Sequence, residues 1–299
     1  MELSWADKAR IAAVAALGII VIGLLAWPAV APDDPRAPVR SLSISFAGTL
    51  GLLALALGTG FVGYFLAWPH GREIAILAVP VGLVTWLVRS GPMQTLTQAY
   101  TTPAARDALL QSLRLEPVFW LMVVATGFAG VLLAQTIRPG SGTPLSVSQI
   151  KSYLRPNIAM MAAAALLLAT LLGHFFLGVF AQDLSRTPRL AAAQPATGQI
   201  LTAGIAAFAV AGFAVKKFFG LSYVWTTVAT VFVLPFAYAF YGKPQTIQEF
   251  AESQPAAFFP HAVFAILPLQ LVALGAIGSV LGYWLAVRYE YWRKHEVGA

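Results

Sequence analysis

Eight long apolar runs, each bounded by charged residues, proline or turn residues, divide the chain. A helix needs about 20 mostly apolar residues to cross the hydrocarbon core of a bilayer. The pattern predicts eight membrane-spanning helices, at Ile11–Val30, Leu42–Trp68, Glu73–Val88, Pro117–Ile137, Ile158–Ala181, Ile200–Val215, Tyr223–Tyr241 and Leu267–Val287. The fold class that follows is all-α, a polytopic transmembrane bundle of eight helices.

The chain also matches itself at an offset of 151 residues. The recurring positions are Gly91, Gln94, Thr95 and Leu96 with Gly242, Gln245, Thr246 and Ile247, and Pro117, Ala125 and Gly127 with Pro268, Ala276 and Gly278. Each half then contains four helices, and because four is even both halves cross the membrane in the same direction. We therefore predict a 4+4 tandem repeat, residues 1–144 and 145–299, with a pseudo-twofold axis along the membrane normal.

Two segments outside the predicted spans carry apolar side chains. Pro92–Glu116 mixes leucines with charged residues and predicts a short amphipathic helix on the membrane surface. Lys243–Ile266 is more apolar and predicts a surface that is covered, by lipid, by the chain's own bundle or by a partner subunit.

Composition agrees with a membrane protein. The chain has 299 residues, of which 59% are hydrophobic and 10% charged, whereas soluble domains carry about 25% charged residues. It has no cysteine, which excludes disulfides, iron–sulfur clusters and thioether-attached haem. It also contains no P-loop, Rossmann glycine pattern, GxSxG or HExxH motif, so we expect it not to be an enzyme.

Positive charge is unevenly divided between the two sides of the predicted bundle. Eleven of the 19 Lys and Arg fall on the side of the two termini and eight on the other, whereas the acidic residues divide five against seven. The positive-inside rule then predicts an inner-membrane protein with cytoplasmic N- and C-termini. The formal charge of +7 is thereby explained by loops that face anionic lipid rather than by nucleic acid. All eight tryptophans lie near predicted span ends, as in an aromatic belt.

His174 is the only ionisable side chain placed well inside a predicted span, and it is therefore the candidate cofactor-binding residue. Three roles stay open for it: an axial ligand of haem, a specific hydrogen bond such as a quinone contact, or a structural bond to a neighbouring helix. The sequence indicates no catalytic residue, no metal ligand and no particular cofactor. The amides inside the spans that call for partners are Gln135 and Gln270.

Small and helix-breaking residues predict how the spans pack. Gly278 and Gly282 form a GxxxG pattern, which is typical of close helix contacts. Pro80 and Pro235 lie inside the third and seventh spans, which are corresponding helices of the two halves, and predict kinks there.

These patterns favour a non-catalytic, multi-pass membrane protein that serves as a subunit or scaffold of a larger membrane complex. Its expected partners are the lipid bilayer and other membrane subunits or a second copy of the chain, and not nucleic acid. The alternative is a permease or channel for a neutral or lipidic solute, since paired proline interruptions mark substrate sites in some transporters. A third hypothesis is an electron-transfer subunit that contacts haem or a quinone through His174.

Overall fold

The computed structural model describes residues 4–139, 156–182, 191–253 and 258–295. Within these ranges eight helical segments are long and apolar enough to cross a membrane, which confirms the predicted number of spans. The predicted boundary between residues 144 and 145 lies outside the described residues.

The helices of the first four spans differ in length and regularity. In chain order they are α1 (Trp5–Gly18) continued by a π-helix (Ile19–Leu25), α2 (Trp27–Val30), α3 (Phe46–Leu66), α4 (Gly71–Ile74), a 3₁₀ turn (Ala75–Leu77), α5 (Ala78–Arg89), α6 (Met93–Ala99) and α7 (Pro103–Ile137). Spans one to four are α1 with the π-helix, α3, α4 with α5, and α7.

The later elements include a small sheet. They are α8 (Pro156–Phe180), β1 (Ala192–Ala193), α9 (Thr197–Phe219), α10 (Tyr223–Tyr241), α11 (Pro244–Ser253), β2 (Phe258–Phe259), a 3₁₀ turn (Ala262–Ala265) and α12 (Pro268–His295). The strands pair antiparallel, with Ala192 opposite Phe259. Spans five to eight are α8, α9, α10 and α12.

The chain is organised as two compact units. Unit 1 comprises Met1–Pro35, Val39–Ser90 and Phe119–Arg155, and unit 2 comprises Arg36–Pro38, Gly91–Val118 and Pro156–Ala299. Each unit has its own packed interior.

Glycine lets helix backbones touch in unit 1. A side chain at Gly18 of α1 would collide with the Ala78 carbonyl of α5. A side chain at Gly60 of α3 would collide in the same way with the Gly127 carbonyl of α7. The hydrophobic effect does not drive helices together in lipid, so close van der Waals packing of this kind stabilises their association instead.

Unit 2 uses the same device between α9 and α12. Side chains at Gly278 and Gly282 would collide with the carbonyls of Ile205 and Ala209, respectively. The close contact predicted from the GxxxG pattern is therefore confirmed, and it is made within the chain.

The first span is not a regular α-helix. Over Ile19–Leu25 it is a π-helix, and the Ala26 N–H donates to the Val21 carbonyl, five residues back, at 3.0 Å. The residue five positions beyond Gly23 is Pro28, which has no N–H to donate. The Gly23 carbonyl accepts from the indole N–H of Trp86, at 3.2 Å, so the third span helps to satisfy the backbone of the first.

The helix that contains the fourth span begins earlier than predicted. The pattern placed its start at Pro117 and a separate surface helix before it, but α7 continues through Pro117 from residue 103 to residue 137. The buried positions show why, because Leu109, Leu113, Glu116, Trp120 and Val123 recur at intervals of three and four residues along one stripe. Glu116, the last residue of the predicted surface segment Pro92–Glu116, is thus a buried residue within a continuous helix.

The two prolines inside spans behave differently. Pro80 is the third residue of α5 and follows the 3₁₀ turn Ala75–Leu77, so the third span changes helix type beside it. Pro235 lies within α10, which stays α-helical from Tyr223 to Tyr241.

Two of the eight tryptophans are buried. Trp86 and Trp120 have no exposed surface, and their rings meet edge to face with centroids 6.1 Å apart inside unit 1. These two rings therefore serve helix packing within unit 1, and the aromatic-belt interpretation, which concerns depth in the bilayer, stays a prediction.

Candidate functional site

The predicted site residue, His174, lies on α8 in unit 2 and packs against three rings from other elements. Its ring is parallel to that of His261, within 9° and with centroids 4.6 Å apart. It is also parallel to Tyr241 at the end of α10, at 5.9 Å, and meets Phe236 edge to face at 5.1 Å. We call these four residues the histidine–aromatic cluster.

His261 reaches this position because the backbone around it is held. Its Nδ1 accepts the Val263 N–H at 3.3 Å, which orients the ring at the start of the 3₁₀ turn. On α8, Gly178 lies one turn beyond His174, and a Cβ there would be 3.0 Å from His261 Nε2. Glycine at this position therefore gives the second histidine room to lie against the helix.

A glutamine fixes the segment that carries His261. Gln194 donates through Nε2 to the Ala265 carbonyl at 3.1 Å, and its Oε1 accepts the Gln94 N–H at 3.0 Å. The β1–β2 pair holds the same segment at Phe259. The sequence did not single out Gln194, since it lies in a short polar stretch outside the spans.

The apolar segment Lys243–Ile266 packs over its own unit where the structure describes it. Ile247, Phe259, Val263 and Phe264 are all buried within the chain. The sequence left three possibilities for what covers this segment: lipid, the chain's own bundle or a partner subunit. For these four side chains it is the chain's own bundle. Gln270 likewise finds a local partner, because its Oε1 accepts the Leu267 N–H at 2.9 Å.

The His261 side chain of the cluster is uncharged near physiological pH. Burial, and to a smaller extent the neighbouring His174, lower the pKa of the His261 imidazole to about 4. Because Nδ1 accepts a hydrogen bond, the neutral ring is assigned its proton on Nε2.

His174 has an open hydrogen-bonding position. Its Nε2 is buried and has no hydrogen-bond partner among the described residues. An imidazole nitrogen in this state can accept or donate one hydrogen bond, depending on its tautomer. The arrangement therefore leaves one ring nitrogen of the cluster able to form a further hydrogen bond.

The paired rings do not have the arrangement of a bis-histidine haem site. Such a site needs the porphyrin plane between the two imidazoles, whereas His174 and His261 contact each other directly with centroids 4.6 Å apart. Within the described ranges, no group of three or more His, Cys, Asp or Glu side chains is placed to hold a metal ion. Of the three roles predicted for His174, the hydrogen-bonding contact fits the geometry better than the haem ligand.

A second polar group in unit 2 was not found from the sequence. The Tyr238 hydroxyl donates to Asp107 Oδ1 at 2.8 Å, and Asp107 Oδ2 accepts from Gln111 Nε2 at 2.8 Å. The Arg114 guanidinium lies over the Tyr238 ring, 5.4 Å from its centroid. No spacing in the sequence relates Tyr238 to residues 131 positions away, so only the fold could reveal this group.

Comparison with known proteins adds no family. No protein-family model, no curated protein and no solved structure matches this chain.

Proposed function

We propose that this membrane-embedded chain is a non-catalytic subunit or scaffold of a larger membrane complex. The observation that carries the proposal is how the polar groups of the spans are used. The hydroxyls of Thr59, Thr170 and Ser279 donate to carbonyls four residues back in their own helices, at 2.7, 2.8 and 2.6 Å. These groups serve helix structure, and glycine contacts bring the helices of each unit together.

The outer face of α8 supports a partner in the membrane. Met160, Leu167, Phe175 and Val179 are 70%, 59%, 60% and 54% exposed, respectively. Their spacing places them along one side of the helix. A lipid-exposed apolar face can receive another transmembrane helix, from a second copy or a different subunit.

The orientation and the duplication belong to the same proposal. We propose that both termini are cytoplasmic in an inner membrane, which the excess of Lys and Arg on their side supports. We also propose the 4+4 repeat. In its support, Gly127 and Gly278, which are 151 residues apart, both lie in close contacts between the second and fourth spans of their halves.

Native purification tests the subunit role. Protein extracted from its own membranes in mild detergent should migrate as an assembly with a stoichiometric partner or as a defined homo-oligomer. A photo-crosslinking residue in place of Phe175, which is 60% exposed, should label that partner, whereas one in place of the buried Phe208 should not. A monomer that crosslinks only to lipid would contradict the proposal.

A second candidate function is a binding site for a neutral ligand with a carbonyl group, such as a quinone. The unpartnered Nε2 of His174 favours it. In lipid nanodiscs, a quinone should bind the wild-type protein and bind the His174→Phe variant about tenfold more weakly, since a lost hydrogen bond to a buried group costs about 1–3 kcal/mol. The variant Phe175→Leu keeps the histidine and serves as the control. Equal binding by His174→Phe and the wild type would exclude this function.

A further inference from the structure

A groove in the surface of unit 2 combines positive charge with an apolar wall. Its volume is about 480 Å³. Arg114 and Lys243 supply the charge, and Pro235 and Ala239 form the apolar wall. The rest of the lining is Tyr238, Gly242 and Pro244. The groove is separate from the histidine–aromatic cluster, because the two share no residue.

The groove lies where a transmembrane helix ends. Pro235 and Ala239 belong to α10, and Lys243 follows the last residue of that helix by two positions. Arg114 precedes Pro117, where the purely apolar part of α7 begins. The cations therefore lie at the edge of the apolar surface, at the depth of lipid headgroups, and the wall extends from them toward the hydrocarbon.

The two cations are exposed and not neutralised within the described chain. In those residues no carboxylate lies within 4.0 Å of Arg114 or Lys243. The nearby carboxylate of Asp107 is engaged by Tyr238 and Gln111. Because its hydroxyl is held by Asp107, Tyr238 provides a positioned ring under the Arg114 guanidinium.

We infer that this groove binds an anionic phospholipid, with the headgroup phosphate on Arg114 and Lys243 and an acyl chain against Pro235 and Ala239. Arginine and lysine form charge-assisted hydrogen bonds with phosphate oxygens, and arginine can do so with two parallel bonds. A free phosphate would use the cations alone, whereas a phospholipid also uses the apolar wall. The combination of the two selects the lipid.

Native mass spectrometry of delipidated protein tests the inference. The probes are phosphatidylglycerol, phosphatidylcholine with the same acyl chains, and inorganic phosphate. Wild-type protein should bind phosphatidylglycerol more tightly than phosphatidylcholine. The double variant Arg114→Gln, Lys243→Gln should lose roughly 30-fold in affinity for phosphatidylglycerol, as expected for two basic side chains at a membrane surface, and should no longer prefer it.

Two control variants separate the parts of the site. Arg293→Gln with Lys294→Gln removes the same number of charges from the exposed end of α12 and should leave phosphatidylglycerol binding unchanged. Ala239→Phe should fill the groove beside the apolar wall and weaken phosphatidylglycerol binding, although both cations remain.

Three results would overturn the inference. The first is equal loss of affinity in the two double variants, which would indicate a general charge effect. The second is full binding by Ala239→Phe, and the third is displacement of phosphatidylglycerol by equimolar inorganic phosphate; either would mean that the apolar wall takes no part.

Discussion

The two units bury their large rings in different ways. In unit 1, Trp86 and Trp120 have no exposed surface, and the Trp86 indole donates to the Gly23 carbonyl at 3.2 Å. In unit 2, His174 and His261 are only half-buried. His174 Nε2 has no partner in the described part of the chain, and neither has Trp120 Nε1 in unit 1. Both units use glycine to bring backbones together, but the two histidines of unit 2 are partly exposed, whereas Trp86 and Trp120 are not. The difference separates a structural core from a candidate binding site.

The largest expected effect comes from placing a side chain in the close glycine contacts that each unit makes between its own helices. Gly60→Leu should destabilise the protein by about 3 kcal/mol or more, because the Gly127 backbone occupies the position of the new side chain. Gly282→Leu should do the same through Ala209 of unit 2. Unfolding in a denaturing detergent titration measures both effects.

Gly58→Leu is a matched control for these variants. It lies on the same helix as Gly60, and nothing is within 4 Å of a Cβ at that position. The contact model fails if Gly58→Leu and Gly60→Leu unfold at the same detergent fraction.

A smaller effect is expected at the buried tryptophan of unit 1. Trp86→Phe removes the indole donor and leaves a cavity, so it should lower the free energy of unfolding by about 1–3 kcal/mol. Trp5→Phe, at a residue that is 86% exposed, should change it little. A stability loss of equal size in both variants would show that the bond to Gly23 does not matter.

A local effect is expected in unit 2. Gly178→Ala should displace the His261 ring, because the new methyl group would lie 3.0 Å from its Nε2. The expected cost is about 1 kcal/mol, with a change in the ring-current shifts of both histidines in NMR spectra. Gly198→Ala introduces the same methyl group where nothing lies within 4 Å and should leave those shifts unchanged.

The last expected effect is the pH dependence that His261 contributes. Its pKa is about 4 in the folded protein and about 6.5 when unfolded. Between these values the unfolded chain binds more protons, so stability should fall as the pH is lowered from 6.5 to 4. His261→Asn should flatten this part of the melting-temperature profile, whereas His295→Asn, at an exposed residue, should not. An unchanged slope in His261→Asn would assign the pH dependence to other groups.

Much of the architecture could be predicted because the bilayer imposes a length. The seventh span was predicted at its observed bounds and the fifth within two residues at each end. The eighth was predicted to start within one residue of its observed start, but its helix continues eight residues beyond the predicted end, to His295. The predicted start of the helix that contains the fourth span was wrong, because Pro117 was interpreted as the first residue of that helix. The buried stripe through Leu113 and Trp120 continues past Pro117.

The candidate site could be predicted only in part. A histidine within an apolar run is conspicuous, so His174 was identified from the sequence. His261 was not paired with it, because it lies 87 positions further along the chain in a loop. The room that Gly178 leaves for its ring depends on a contact between two elements.

By itself, the sequence determined that this chain forms helices in a membrane and how many spans it has. An unpaired backbone is costly in lipid, so each long apolar run must form a helix whatever its neighbours are. The tertiary structure decided which glycines touch a facing backbone, which tryptophans are buried, and which polar nitrogen stays open. Those outcomes depend on the neighbour that packing brings to each residue, and a linear pattern of apolar and polar positions does not contain that information.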